Sequence, residues 1–303
     1  MSDMLCDRAL LVAVCEELVP FMNGSAMGRL TFLLGELASN PSGERLDATD
    51  REWVEDGLRA AASRRDWWQA ELTRLNALGI DAIASLDPRY PTNLTLVHDG
   101  PPMLFVRGTL CDEDRRAVAV VGTREPSSEG LNLAQAIAKG LVAQGYTVVS
   151  GLAKGIDAAV HAATLNAGGR TIAVFGTPIE TIYPVANRPL ANRIAGTGAC
   201  VSQFLPGVRT GRWSFPARNL TGSGLSLATV VVEASETSGA RHQAEAALKH
   251  GKRVFLVESL VTSQAWAQEM AGNSINATVI ADADVIVERL EADLSVDDSF
   301  VFA

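Results

Sequence analysis

Three apolar runs in the middle third of this chain each end in a small or glycine-rich turn that opens a helical pattern. The runs are Ala117–Val121 before Gly122-Thr123-Arg124, Thr147–Ser150 before the turn from Gly151 to Asp157, and Thr171–Phe175 before Gly176-Thr177. Runs so short and so apolar on both faces fit buried parallel strands covered by helices. The sheet they make is doubly wound, with right-handed crossovers. Strand ends then meet along one edge, where glycine lets the backbone approach an anion and the next helix aims N–H groups at it. Arg124 and Lys154 add a cation to two of these turns. A shared anionic ligand explains two cations on adjacent turns better than solvated loop charges do. The expected crevice is built from Gly122, Thr123, Arg124, Gly151, Lys154, Gly155 and Gly176.

Around these turns the pattern alternates. Helices are expected over 128–144, 156–167, 187–195, 239–250 and 282–294, and strands over 199–203, 228–233 and 253–257. Residues 204–219 read as a loop. Upstream, Leu10, Leu11, Val14 and Leu18, then Leu58, Trp67, Leu72 and Leu75, recur at helical spacing. Asp47-Ala48-Thr49-Asp50 looks like a helix start. Residues 76–110 form a Pro-rich connector with a short strand at Met103–Arg107. The organisation that follows is a helical N-terminal domain with connector (1–110), an α/β domain (111–295) and an acidic tail (296–303).

A chain of 303 residues with 47% hydrophobic and 20% charged residues has the make-up of an ordinary soluble protein. Its apolar stretches are too short to span a bilayer. Acids flank the run from Leu10 to Cys15, unlike a secretory leader. Four scattered cysteines, Cys6, Cys15, Cys111 and Cys200, suggest neither a disulfide framework nor a zinc site, and fit a reducing cytoplasm. The net charge of −9 is unevenly spread. Residues 1–115 carry −8, residues 116–257 carry +7 and residues 258–303 carry −8. Residues 181–232 hold five arginines and no acid. A positive field on one domain steers a polyanion whatever the total charge. The alternative is that flanking acids neutralise the block on folding.

Several catalytic signatures are missing. No G-x-G-x-x-G follows a strand, and no P-loop, G-x-S-x-G or H-E-x-x-H occurs. The four histidines lack metal-ligand spacing, so no metal and no cofactor is expected. Asp157 serves either as a ribose or base contact or as a helix cap. His161, four residues on, reads as a buried partner of that acid. The segment 204–219 mixes Arg209, Arg212 and Arg218 with Phe204, Trp213 and Phe215. Arginine for phosphates and rings for bases is how single strands are held without sequence reading. Its arginines are expected to face outward and at least one ring inward. Trp53, Trp67 and Trp68 belong to a core or interface.

These strings together resemble the DprA/Smf family of DNA-processing proteins. The resemblance is carried by Gly122-Thr123-Arg124, by Ser150 to Asp157 with His161, and by Gly168 to Gly176. It continues through Tyr183-Pro184 with Asn187, Phe215-Pro216, Arg218-Asn219, Gly224-Leu225-Ser226, Val231 to Ala234, Ser238-Gly239 and Gly251 to Phe255. It implies an extended Rossmann-like fold that binds single-stranded DNA in a positive crevice, dimerises and hands the strand to a RecA-type recombinase in transformation. It implies no turnover. On that basis Arg212, Phe215, Arg218 and Asn219 join the expected DNA-binding set. Departures lie around the crevice. Leu220-Thr221-Gly222-Ser223 stand where the family continues with arginine and isoleucines, and Glu129 replaces a tyrosine. A C-terminal winged helix, carried by many members, is not expected here. The competing reading is a nucleotide sensor or nucleotide N-glycosidase using the same crevice, in defence against foreign DNA, with Asp157 and Glu233 as its residues. Against it, the Pro-Gly-Gly-x-Gly-Thr signature of phosphoribohydrolases is missing. A homodimer is expected through the late segment, because Val254–Val257 is apolar on both faces and a sheet edge should not expose it.

Overall fold

The structure, a computed structural model, describes residues 7–20, 22, 24–40 and 45–300, so Cys6 and the end of the tail lie outside the described residues. Four helices come first: α1 (Arg8–Leu18), α2 (Gly24–Ser39), α3 (Ala48–Ala61) and α4 (Arg65–Ala77). Asp7 caps α1 by accepting from Leu10 N at 3.1 Å, and Asp47 caps α3 by accepting from Asp50 N at 2.8 Å. These side chains satisfy donors that a helix start leaves free. Strand β1 (Ile80–Ala84), the single turn α5 (Thr92–Thr95) and β2 (Met103–Gly108) follow. Then β3 (Ala117–Val121), α6 (Ser128–Ala143), β4 (Thr147–Ser150), α7 (Ile156–Asn166), β5 (Thr171–Val174), α8 (Arg188–Thr197) and β6 (Ala199–Ser202) alternate. The chain continues through α9 (Ser214–Gly224), β7 (Ala228–Val231), α10 (Gly239–Lys249), β8 (Arg253–Val257), α11 (Glu258–Ser263), α12 (Ala265–Asn273), β9 (Ala277–Ile280) and α13 (Asp284–Phe300).

One nine-stranded sheet collects all these strands in the order β1-β2-β6-β5-β4-β3-β7-β8-β9. From β6 to β9 every pairing is parallel, while β1 and β2 join antiparallel at one edge. The α/β, doubly wound, mostly parallel fold expected from the strand–turn rhythm is therefore present. The chain winds outward from β3 to β6 and then returns to lay β7 against the other side of β3. That reversal is the topological switch point, beside which open sheets bind ligands. Alternate residues of each strand face opposite cores. Val118 and Val120 pack with α6, α7 and α10, while Ala117 and Ala119 pack with Leu104, Val106 and Val201.

The N-terminal helices share a core with the sheet. Leu11, Val14, Leu30 and Leu34 cluster with Ala82, Phe105, Phe175 and Cys200. Ion pairs reinforce the junction: Arg74 bridges Glu71 and Glu180, and Arg8 reaches Asp81. Trp68 is buried and donates from Nε1 to Glu16 at 2.7 Å. No helix among the described residues is long and apolar enough to cross a membrane.

Three expectations are corrected. The last six residues of the expected loop 204–219 are helical, because α9 begins at Ser214. Strand β8 is interior, flanked by β7 and β9, so its apolar faces are covered within the chain and give no reason for a dimer there. The last helix continues past 294 to Phe300.

Candidate functional site

A cavity of about 460 Å³ opens at the carboxyl edge of β3, β4 and β5, lined by Arg124, Glu125, Gly151, Ala153, Lys154, Gly176, Thr177, Tyr183, Pro184, Phe215 and Arg218. Each turn of the crevice is held by its neighbours. After β3, Thr123 N donates to Glu233 O at 2.6 Å, and Ile156 N donates to Thr123 O at 3.2 Å. This ties the first turn to the end of β7 and the start of α7. Gly122 lies against Ile156, whose Cγ1 would sit 2.6 Å from an added Cβ. Arg124 is left exposed, with its guanidinium 5.6 Å from the centroid of Phe215.

The second turn is closed by its own acid. Gly151 N and Ala153 N donate to Asp157 Oδ2 at 3.2 and 3.3 Å. The backbone donors expected to receive a ligand anion are thus filled from within the chain. Gly155 has φ +78°, and its Cα faces Thr123 O so closely that a Cβ would fall 2.4 Å away. Asn187 Nδ2 donates to Leu152 O at 2.8 Å and pins the turn from above. Lys154, at its tip, is exposed.

Arg218 enters from α9 and is buried at 8% exposure, which corrects the expectation that it faces outward. Its Nη1 donates to Val174 O at 2.8 Å, and its Nε has no hydrogen-bond partner. The guanidinium lies directly over Gly151. Burial pushes the Asp157 carboxyl up from the usual carboxylate range, while Arg218 and the turn's N–H groups oppose it. Arg218 stays cationic, as guanidinium does in proteins. It therefore acts on the cavity as a fixed charge set into the floor.

The third turn carries the aromatic wall. Ser214 Oγ donates to Gly176 O at 2.6 Å, and the Phe215 ring covers Gly176 with Cδ1 2.7 Å from where a Cβ would lie. Tyr183, 55% exposed, stands with its ring centroid 6.0 Å from that of Phe215. Tyr183 was not among the expected site residues. An aromatic beside a proline, just past the third glycine turn, was the available signal.

Other expected residues lie elsewhere. Arg212 is exposed but not among the cavity's lining residues. Asn219 is buried and donates to Gly239 O at 2.9 Å, joining α9 to α10. The Glu233 carboxylate accepts from Ser127 N and Ser127 Oγ at 3.0 and 3.1 Å, at the positive end of α6. His161 does not pair with Asp157. Its Nδ1 lies 2.7 Å from Thr171 Oγ1, whose proton goes to Val148 O. Nδ1 therefore donates, and burial holds the imidazole neutral with a pKa lowered to about 3. Trp213 packs against Phe204, one ring inward as expected.

A doubly wound, mostly parallel sheet with a crevice of cations and two tilted rings at its strand ends places the chain among Rossmann-type folds. Residues 81–291 match the family model of DNA recombination-mediator protein A, and the chain belongs to that family. It is 42% identical over 173 residues to protein Smf of Synechocystis, covering 56% of this chain and 44% of that one. It is 37% identical over 210 residues to DNA processing protein DprA of Bacillus subtilis, covering 67% and 70%. Among solved structures, DprA of Streptococcus pneumoniae superposes with TM-score 0.75 at 27% identity, over 92% of this chain and 97% of that one. DprA of Helicobacter pylori, whose structure is described as showing a single-stranded-DNA binding mode, superposes with TM-score 0.61 at 24% identity over 71% and 96%, a likeness of fold.

Proposed function

We propose that this chain binds single-stranded DNA at the carboxyl edge of its sheet, as a DNA-processing protein of the DprA type. Arg124 and Lys154 take backbone phosphates, the buried Arg218 charge holds the strand near the floor, and Tyr183 and Phe215 stack bases. The observation that carries this reading is the joint lining of one cavity by Arg124, Lys154, Tyr183 and Phe215. Cations beside rings recognise phosphates and bases in any sequence. The rival nucleotide site loses support on two counts. Its phosphate cradle is occupied by Asp157, and Glu233 is engaged at the start of α6. Neither carboxylate is left free to act at a sugar carbon, so the reading includes no turnover. On the family's account alone it extends to a homodimer that protects the strand and passes it to a RecA-type recombinase in the cytoplasm.

The test is a fluorescence titration with oligo-dT, duplex DNA and mononucleotides, with sedimentation of the complexes. Oligo-dT binds tightest. Arg124→Ala and Lys154→Ala each weaken it about tenfold, in line with loss of one charged contact of about 1.5 kcal/mol, with unchanged melting temperature. Equal affinity for duplex, or wild-type affinity in both variants, defeats the proposal. Complexes containing only monomers remove the homodimer.

A further inference from the structure

Far from the crevice, the fold brings together two histidines and an acid that the sequence holds apart. His250 Nε2 lies 2.7 Å from Asp99 Oδ1, across 151 residues of chain. His98 Nε2 lies 3.7 Å from Asp99 Oδ2. The three donor atoms all fall within 4.8 Å of one another.

We propose that His98, Asp99 and His250 bind a divalent transition-metal ion of the zinc type. Two borderline imidazole nitrogens with one harder carboxylate oxygen make a set that suits Zn²⁺, with a water in the fourth place. Metal–ligand bonds of about 2.0–2.2 Å in a tetrahedron put the donors about 3.3 Å apart. The observed spacings bracket that value, and the His98 side chain, 70% exposed, is free to swing inward. The support around the ligands is also of the right kind. The His250 side chain is fully buried, and its Nδ1 lies 2.9 Å from Ser223 Oγ. A ligating histidine is commonly oriented by just such a bond from its other nitrogen. His250 ends α10, where the helix dipole favours a cation. Lys252, whose charge acts on Asp99, has its ammonium held by Ser223 O and Gly224 O at 3.0 and 2.7 Å.

The ion would act as a staple. The turn at His98–Asp99 presses on α2, where a Cβ on Gly28 would lie 2.1 Å from His98 O. Thr31 Oγ1 on the same helix donates to Gly100 O at 2.7 Å. Binding therefore fastens the N-terminal helices to the end of α10. The spacing of the histidines in sequence carries no sign of this, since the ligands come from two distant segments.

The experiment uses the untagged full chain, stripped with a chelator and titrated with Zn²⁺ and Co²⁺. The expected result is one ion per chain, the visible absorption of tetrahedral Co²⁺, and a melting temperature raised by Zn²⁺. His98→Ala leaves the metal-free melting temperature unchanged and lowers Zn²⁺ affinity at least about tenfold, while Ser223→Ala lowers it about 10–100-fold. His242→Ala, a surface control, binds like wild type. Failure of the wild-type chain to take up a stoichiometric ion overturns the proposal. So does equal affinity in His98→Ala, or loss of uptake in His242→Ala.

Discussion

An alanine at position 151 would place its Cβ 1.6 Å from Arg218 Nη1. The guanidinium could not stay, and its bond to Val174 O would be lost. Overpacking costs about 1–3 kcal/mol and a buried charged hydrogen bond about 1.5–3. Gly151→Ala should therefore destabilise the fold by about 2–4 kcal/mol, read as a lower denaturant midpoint with an unchanged slope. A shift under about 0.5 kcal/mol would mean that Arg218 has another resting place. The same geometry shows what a single residue reveals in sequence. Arg124 and Lys154 are readable as cavity cations because a strand end fixes where the next few residues emerge. The glycines are readable as sites of close approach, but what approaches is Arg218, Phe215 or Ile156 rather than a ligand. Asp157, by filling the turn's N–H groups, leaves recognition to side-chain charge. Burial of Arg218 depends on the path of α9, which residues near 218 do not disclose.

The strands that were readable are those covered on both faces, where most positions are apolar. Strand β9 escaped because one of its faces is open, with Val279 42% exposed. Helix α9 escaped because Pro216, Asn219, Gly222 and Gly224 are weak helix formers, and packing against α10 overrides their preferences. Between elements, one acid organises the opposite, amino-terminal edge of the sheet. Asp114, 6% exposed, accepts from Arg170 Nε and Nη2 at 2.7 and 2.8 Å, from Thr147 Oγ1 at 3.1 Å and from Cys111 N at 2.9 Å. It thereby links the starts of β3, β4 and β5. Removing one partner of a buried pair costs about 3–5 kcal/mol, and Arg170 retains its bond to Thr197 O. Asp114→Ala is expected near the lower figure, about 3 kcal/mol, in chemical denaturation. Oligo-dT affinity of the folded variant should not change, because the residue lies at the far edge from the cavity. A variant as stable as wild type would show that Arg170 needs no counter-charge.

Charge is sorted by edge across the entire sheet. Cations at the amino-terminal ends of strands are paired with acids from the flanking segments: Arg116 with Glu291, Arg170 with Asp114 and Arg253 with Asp293. Beyond the carboxyl ends, Arg124, Lys154, Arg188, Arg209 and Arg212 have no ion-pair partner among the described residues. The flanking acids thus neutralise the block at the amino-terminal edge, while the carboxyl-edge face carries these five unpaired cations together with the exposed Glu125 and Glu129. Such a face focuses its field on a polyanion that approaches from one side. For single strands, log K falls with log salt at a slope of about −0.7 per phosphate neutralised, so five free cations set a limit of about −3.5. Oligo-dT binding measured between low and moderate salt should show a slope between about −2 and −3.5, softened by about 0.7 in Arg124→Gln or Arg212→Gln. Arg253→Gln, at the paired edge, should leave the slope as it is. If Arg253→Gln softened the slope as much as Arg124→Gln, the strand would run over the wrong edge of the sheet, and the cavity would lose its place as the binding surface.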